Sequence, residues 1–278
     1  MNMPELPEVE TIRKALNVHL KGRRISGIDI IDPTLLTGHG RNNGSSFENA
    51  ERQLHRMIGC TIKGIDRLGK SLIFKLSSKD FLLMSLRMTG RLVLSRPLPS
   101  ARGRFSFKGE PRVLNFIDRR RLGELHPMSS ETLNDLRKRT GPDALQHWEV
   151  PRESARKESR AKIHATLLDQ GFIAGVGNIY ATEALFRAGI KPQRTFKSLT
   201  RDDFRRLGRD LGRVLEAGIR HRGCTFDSYR DLFNRSGRAQ KYLNIYGKAG
   251  QACPVCRRIL QFTRISGRGV TYCSRCQH

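Results

Sequence analysis

Asp169-Gln170-Gly171-Phe172-Ile173-Ala174-Gly175-Val176-Gly177-Asn178-Ile179-Tyr180-Ala181-Thr182-Glu183 joins two apolar-periodic stretches through three glycines. A glycine-rich turn that opens a helix offers backbone N–H groups and the positive end of the helix dipole, a combination suited to a phosphate. Asn178, just inside the second helix, adds a side-chain donor. Gly-x-Gly ahead of a helix is equally compatible with close helix–helix packing, so the segment by itself leaves both readings open. Around it the pattern is helical. Ala161–Gln170 and Glu131–Arg139 are short helix candidates. Thr200 with Asp203 three residues later has the form of a capping box. Phe204, Leu207, Leu211, Val214, Leu215 and Ile219 then follow at amphipathic spacing.

Downstream lies a metal-ligand pattern. Four of the six cysteines crowd into the last 26 residues, as Cys253-Pro254-Val255-Cys256 and Cys273-Ser274-Arg275-Cys276, with 16 residues between the pairs. Two Cys-x-x-Cys knuckles around a hairpin-length insert predict a closed, tetrahedral and therefore structural zinc site. Redox pairs or an iron–sulfur centre are the alternatives. So small a tail cannot build its own core, and metal binding is expected to supply most of its folding energy. Residues 253–278 hold five arginines and no acid, and Arg268, between Gly267 and Gly269, sits where the hairpin tip belongs. Cys60 and Cys224 stand alone, which is not the usage of a secreted disulfide framework.

Upstream the period changes. Val9, Ile12, Leu16 and Leu20 predict a helix ending near Gly22. Short runs rich in β-branched and apolar residues then recur at Ile25–Ile30, Cys60–Asp66, Ser71–Leu76, Phe81–Leu86, Arg91–Leu94 and Val113–Asp118. Strands at this spacing suggest a β-sandwich. Gly38–Ser46 and Pro97–Pro111 read as loops, and the sandwich is expected to end near His126-Pro127.

The chain has 278 residues, long enough for two domains. Its 52 Lys and Arg against 26 Asp and Glu give a formal charge of +26, which points to a polyanionic partner. No apolar run approaches the roughly 20 residues needed to span a bilayer, and the front lacks a signal peptide's basic and apolar regions. The expectation is a soluble, intracellular protein. None of the eight histidines forms a ligand or triad pattern; core or solvated roles are expected.

The front of the chain, Pro4-Glu5-Leu6-Pro7-Glu8-Val9-Glu10-Thr11, reads in two ways. One is a helix start, with proline in the first turn and acids at the positive dipole end. The other is chemical. If the chain starts at Met3 and that residue is removed, Pro4 becomes a secondary amine, and α-amino groups titrate at roughly 7.7–8.0. Such an amine can attack an electrophilic carbon, with the adjacent Glu5 moving protons.

This front motif, the Asp169–Glu183 string and the cysteine tail together resemble formamidopyrimidine-DNA glycosylase, a bacterial base-excision repair family. The Ile179-Tyr180-Ala181-Thr182-Glu183 ending is nearer to that branch than to endonuclease VIII. The resemblance implies an α+β chain in three parts: a β-sandwich with a flanking helix (1–126), a helix–two-turn–helix domain (127–243) and a β-hairpin zinc finger (244–278). It implies that Pro4 attacks C1′ of a flipped nucleotide while Glu5 protonates the opening sugar ring. Lys70, in the turn Arg67-Leu68-Gly69-Lys70-Ser71, matches the lysine that holds a phosphate beside the lesion, with Asn178 and Arg268 completing the clamp. Met88, Arg120 and Leu122 match the three residues that enter the space the damaged nucleotide leaves. The implied activity is removal of oxidised purines from duplex DNA with strand cleavage, by a monomer in the bacterial cytoplasm. One structural zinc is implied, at Cys253, Cys256, Cys273 and Cys276, with no nucleotide cofactor and no catalytic metal. DNA is expected between the sandwich and the helical–zinc half.

Four departures accompany the match. Met1-Asn2 precede Met3, where relatives begin with Met directly before this proline. Arg119 replaces a usual proline and Leu122 a usual phenylalanine, which loosens the expected stacking. Ser236-Gly237-Arg238-Ala239-Gln240-Lys241 lacks the family's Gly-x-x-Gly-Tyr-Phe-like pattern in the loop over the flipped base, so lesion preference stays open. A non-catalytic DNA-binding protein of the same fold, with residues 1–3 retained, and an endonuclease VIII-like enzyme for oxidised pyrimidines are the rival readings.

Overall fold

The computed structural model describes residues 3–37, 44–146 and 160–278. The chain forms two compact units, Met1–Lys138 with His221–Gln240, and Arg139–Arg220 with Lys241–His278.

In the first unit, α1 (Leu6–Leu20) begins directly behind Pro4. Glu5 is its N-cap and forms a capping box with Glu8, while Pro7 sits in the first turn, where a missing N–H costs nothing. Val9, Ile12, Leu16 and Leu20 are fully buried along one stripe. Burying each such side chain stabilises by roughly 1.5–3 kcal/mol, so the helix carrying the front motif is firmly held. It stops at Lys21, and Gly22 turns the chain at φ +83°.

The strands are β1 (Ile25–Ile30), β2 (Ile62–Leu68), β3 (Ser71–Leu76), β4 (Phe81–Ser85), β5 (Gly90–Ser95), β6 (Ala101–Phe107), β7 (Glu110–Asp118) and β8 (Glu124–Met128). Short helices α2 (Thr34–Thr37) and α3 (Gly44–His55) follow β1, and α4 (Ser130–Arg139) follows β8. The strands make two antiparallel four-stranded sheets, ordered β1-β6-β7-β5 and β2-β3-β4-β8. Leu92, Phe105, Leu114 and Phe116 of one sheet share a core with Ile65, Leu72, Phe74 and Leu82 of the other and with the α1 stripe. This is the expected sandwich.

Two sequence expectations are corrected, and an additional strand lies at the expected end of the sandwich. Pro97–Pro111 is not a plain connection: β6 lies within it, sending Phe105 and Phe107 into the core. Strand β8 runs through His126-Pro127, with Pro127 opposite Leu82. It is an edge strand, where a residue without an N–H is tolerated. Within Gly38–Ser46, residues 38–43 lie outside the described part, and the chain is helical from Gly44. The segment 221–240 belongs to this unit: Tyr229 and Leu232 enter the sandwich core, and Leu94 N–H donates to the Leu232 carbonyl at 2.9 Å.

The second unit contains α5 (Ile163–Leu168), α6 (Asn178–Arg187) and α7 (Arg201–Arg220). The predicted cap of α7 is present: Thr200 N–H donates to Asp203 Oδ2 at 3.0 Å and Asp203 N–H to Thr200 Oγ1 at 3.1 Å. Ile179 to Phe186 of α6 are all buried, so this helix is the centre of the unit. The tail forms the hairpin β9 (Gln261–Ile265) and β10 (Arg268–Tyr272). Its two-residue turn, Ser266 (φ +48°) and Gly267 (φ +76°), is left-handed at both positions, as a tight hairpin requires.

Candidate functional site

Pro4 is buried and Glu5 is 4% exposed at the start of α1. Behind them Glu8, 1% exposed, uses both carboxylate oxygens: Oε2 accepts Glu5 N–H at 2.9 Å and Oε1 accepts Cys224 N–H at 2.6 Å. Tyr229 Oη–H points at the Glu8 carbonyl at 3.4 Å. Burial, and then the charges of Glu8 and Asp231, push this phenol well above its usual range. Backbone approaches closely here. A Cβ on Gly223 (φ +75°) would lie 2.8 Å from Glu8 Cγ, and one on Gly237 would lie 2.1 Å from the Gly223 carbonyl oxygen. Glu8 therefore seats the 221–240 segment on the front motif. The sequence did contain a signal for it, a glutamate at the third position of a capped helix, but an acid there is ordinarily only a cap.

Lys70 is placed by its own hairpin. Leu68 pairs with Ser71, leaving Gly69 (φ +57°) and Lys70 as the two turn residues. Arg67 Nη1 holds the Gly69 carbonyl at 2.8 Å, and its Nε meets Glu10 Oε2 at 3.2 Å. Burial alone would raise the Glu10 pKa, but Arg13 and Arg67 outweigh it and hold the carboxyl below its usual range. The turn is thus tied to α1 through a largely buried ion pair.

Met88 and Arg120 are brought together, with Arg120 Nη1 3.2 Å from Met88 Sδ. The organiser is Asp118, 4% exposed. Its Oδ1 accepts the Thr89 hydroxyl and Arg120 N–H, the latter at 3.1 Å. Its Oδ2 accepts Gly123 N–H at 2.6 Å and faces Arg102 Nη1 at 3.4 Å. Gly123 is required, because a Cβ there would lie 2.7 Å from the Phe116 ring. Leu122 is half-buried on the same turn, and Arg120 is exposed. Ser228 Oγ donates to the Met88 carbonyl at 3.2 Å, and Arg119 pairs with Asp227 at 3.7 Å, so the 221–240 segment also reaches this turn.

In the second unit Asn178 is the first residue of α6, and the helix's own bonding begins with Ala181 N–H to the Gly177 carbonyl. Gln170 shapes the glycine turn: its amide nitrogen donates to the carbonyls of Leu168 and Val176, and its oxygen accepts Gly175 N–H. Asn178 Nδ2 donates to the Gly269 carbonyl at 3.0 Å, which brings Asn178 beside the hairpin residue that follows the exposed Arg268. His164, fully buried, meets Asn178 Oδ1 through Nε2 at 2.9 Å. Glu183 accepts the backbone N–H groups of Asn244, Ile245 and Tyr246, each at 2.8 Å, and so anchors the approach to the tail.

The sulfurs of Cys253, Cys256, Cys273 and Cys276 all lie within 4.8 Å of one another. Zn–S bonds of about 2.3 Å in a tetrahedron place sulfurs roughly 3.8 Å apart, and the Cys253–Cys276 and Cys256–Cys273 pairs are at 3.9 and 3.4 Å. The set fits a closed four-thiolate site. Burial, and then the neighbouring sulfurs, push the Cys276 thiol up, the opposite of what a divalent cation among them would do.

Sandwich, glycine-turn helix pair and cysteine hairpin each match a family model. These are the formamidopyrimidine-DNA glycosylase N-terminal domain over residues 3–125, its H2TH domain over 141–229, and a zinc finger found in FPG and IleRS over 250–278. The chain belongs to the formamidopyrimidine-DNA glycosylase family. It is 37% identical over 281 residues to the formamidopyrimidine-DNA glycosylase of Desulfitobacterium hafniense, covering 99% of this chain and 100% of that one. It is 39% identical over 271 residues to that of Moorella thermoacetica, covering 94% and 95%. Among solved structures, the MutM (Fpg) protein of Thermus thermophilus superposes with a TM-score of 0.83 at 36% identity, covering 99% and 98%. The Lactococcus lactis Fpg in complex with abasic-site DNA superposes at 0.85 and 30% identity, covering 99% of each chain.

Proposed function

We propose that this chain is a bifunctional DNA glycosylase and abasic-site lyase that removes oxidised purines, formamidopyrimidines and 8-oxoguanine, from duplex DNA. The observation that carries the reading is the front of α1: Pro4 and Glu5 buried side by side, with Glu8 holding the backbone of both Glu5 and Cys224. Relatives solved with abasic-site and Fapy-dG DNA support the substrate class.

In a chain that begins at Pro4, the secondary amine attacks C1′ of the damaged nucleotide. Glu5 delivers a proton to the ring oxygen as the sugar opens, and the base departs with the C1′–N bond's electron pair and a proton. The resulting iminium withdraws electrons from C1′, acidifies the C2′–H, and the 3′ phosphate leaves by β-elimination. A second, δ-elimination expels the 5′ phosphate. Water then hydrolyses the iminium to return the free amine and the cleaved sugar as an aldehyde. Lys70, Asn178 and Arg268 are assigned to phosphates, and Met88, Arg120 and Leu122 to the vacated space in the duplex. One structural zinc on the four cysteines holds the hairpin that bears Arg268. The protein acts as a monomer in the bacterial cytoplasm.

The test is borohydride reduction with an 8-oxoguanine duplex: a covalent protein–DNA adduct is expected. A second reading is favoured by Met1-Asn2-Met3 ahead of Pro4, which while present keep its nitrogen in a tertiary amide. That form binds DNA without trapping. Release of 8-oxoguanine opposite cytosine, compared with thymine glycol opposite adenine, separates the proposed lesion class from oxidised pyrimidines.

A further inference from the structure

We propose that His164 is a positioning residue that decides which end of the Asn178 amide faces a DNA phosphate, an inference that rests on the assignment of Asn178 as a phosphate contact. The Gly269 carbonyl can only accept, so the Asn178 atom facing it at 3.0 Å is Nδ2. The other end of the amide, Oδ1, then faces His164 Nε2 at 2.9 Å and needs a hydrogen from it. That fixes the imidazole as the Nε2–H tautomer. Its Nδ1 is consequently a bare acceptor, buried with no hydrogen-bond partner among the described residues.

A fully buried ring held to Asn178 at this distance can act on the amide's orientation. The role follows from the amide. One Nδ2 hydrogen is taken by Gly269, and the other faces Tyr246 Oη at 3.5 Å, a contact long enough to be exchanged for a phosphate oxygen. Turned over, the amide would present lone pairs to that phosphate. His164 and the Gly269 carbonyl grip opposite ends of the amide and exclude the turned form. Burial, and secondarily Arg268, hold the imidazole's pKa near 4 against the Asn178 bond, so the ring stays neutral at neutral pH.

Fluorescence anisotropy of the full-length, zinc-loaded chain with a tetrahydrofuran abasic-analogue duplex and an undamaged duplex tests this. His164→Phe should weaken abasic binding by about tenfold, the scale of one hydrogen bond. His164→Gln, whose amide can still donate to Asn178 Oδ1, should stay within about threefold. Added to Asn178→Ala, His164→Phe should cost less than about twofold more, because the two act as one unit. Wild-type affinity in His164→Phe, equal loss in the Phe and Gln variants, or full additivity with Asn178→Ala overturns the inference alone. A wild-type chain that binds both duplexes equally overturns the functional reading and this inference with it. Should His164→Phe fail to fold, imidazole nitrogen shifts in the wild-type protein at pH 7 decide: Nε2–H is expected, and Nδ1–H or an imidazolium contradicts the proposal.

Discussion

At the scale of single residues, Glu5 and His164 make separable demands. Glu5 caps α1 through its capping box with Glu8, a bond that a glutamine could also accept, while its carboxyl is assigned to proton delivery. Glu5→Gln should therefore slow base release by about 10²–10⁴, the usual contribution of a positioned acid, while duplex affinity, read by anisotropy, stays near wild type. His164 makes a pH prediction. Its folded pKa of about 4 lies below the ordinary 6.5, so between those values the unfolded chain binds a proton that the native chain refuses. The stabilisation from keeping it neutral is complete above about pH 6.5 and is lost as pH falls toward 4. Urea melts should lose about 2 kcal/mol from this group between pH 7 and pH 5, a loss that is absent in His164→Gln. A core place was one of the two roles expected for the histidine. Its bond to Asn178 was not legible, because the amide is oriented by the Gly269 carbonyl, 91 positions beyond Asn178 in the chain.

At the scale of elements, local signals were readable and long-range ones were not. The Thr200–Asp203 cap spans three residues and appears as expected. Strands β1 and β3 match their predicted limits because their apolar residues alone announce them. Strand β6 was hidden by its arginines. Arg102 is 5% exposed, and its charge is met by Asp32 at 2.9 Å, Asp118 at 3.4 Å and the Thr34 hydroxyl at 2.7 Å. A buried arginine is permissible only with such partners, and they come from two other parts of the chain. Arg102→Ala should destabilise the first unit by about 3–5 kcal/mol, since it leaves the buried Asp118 carboxylate without its cation, while Asp32 keeps Arg121 at 3.2 Å. It should also loosen the Asp118–Gly123 turn that presents Arg120. Thermal melts and hydrogen exchange at Gly123 N–H check both effects; an unchanged melting temperature would show that the ion cluster contributes nothing.

At the scale of the whole molecule, the +26 charge and the four-cysteine tail belong together. The tail's core is little more than Phe186, Ile245, Leu260 and the cysteines, too few apolar groups to hold the hairpin unaided. Chelation should release one zinc per chain, weaken DNA binding by at least about tenfold and leave the sandwich's far-ultraviolet dichroism largely intact. The class of protein was readable from the motifs at the front, middle and tail of the chain. The packing of 221–240 on the sandwich was not, because Glu8 and Cys224 meet across 216 positions. The central claim is that the Pro4 nitrogen is the nucleophile. The most direct measurement is peptide mapping by mass spectrometry after borohydride reduction of a chain beginning at Pro4 with a duplex containing 8-oxoguanine. The account predicts a single adduct, on the Pro4 nitrogen. An adduct on Lys70 or another lysine, or tight binding with no adduct at all, would contradict it.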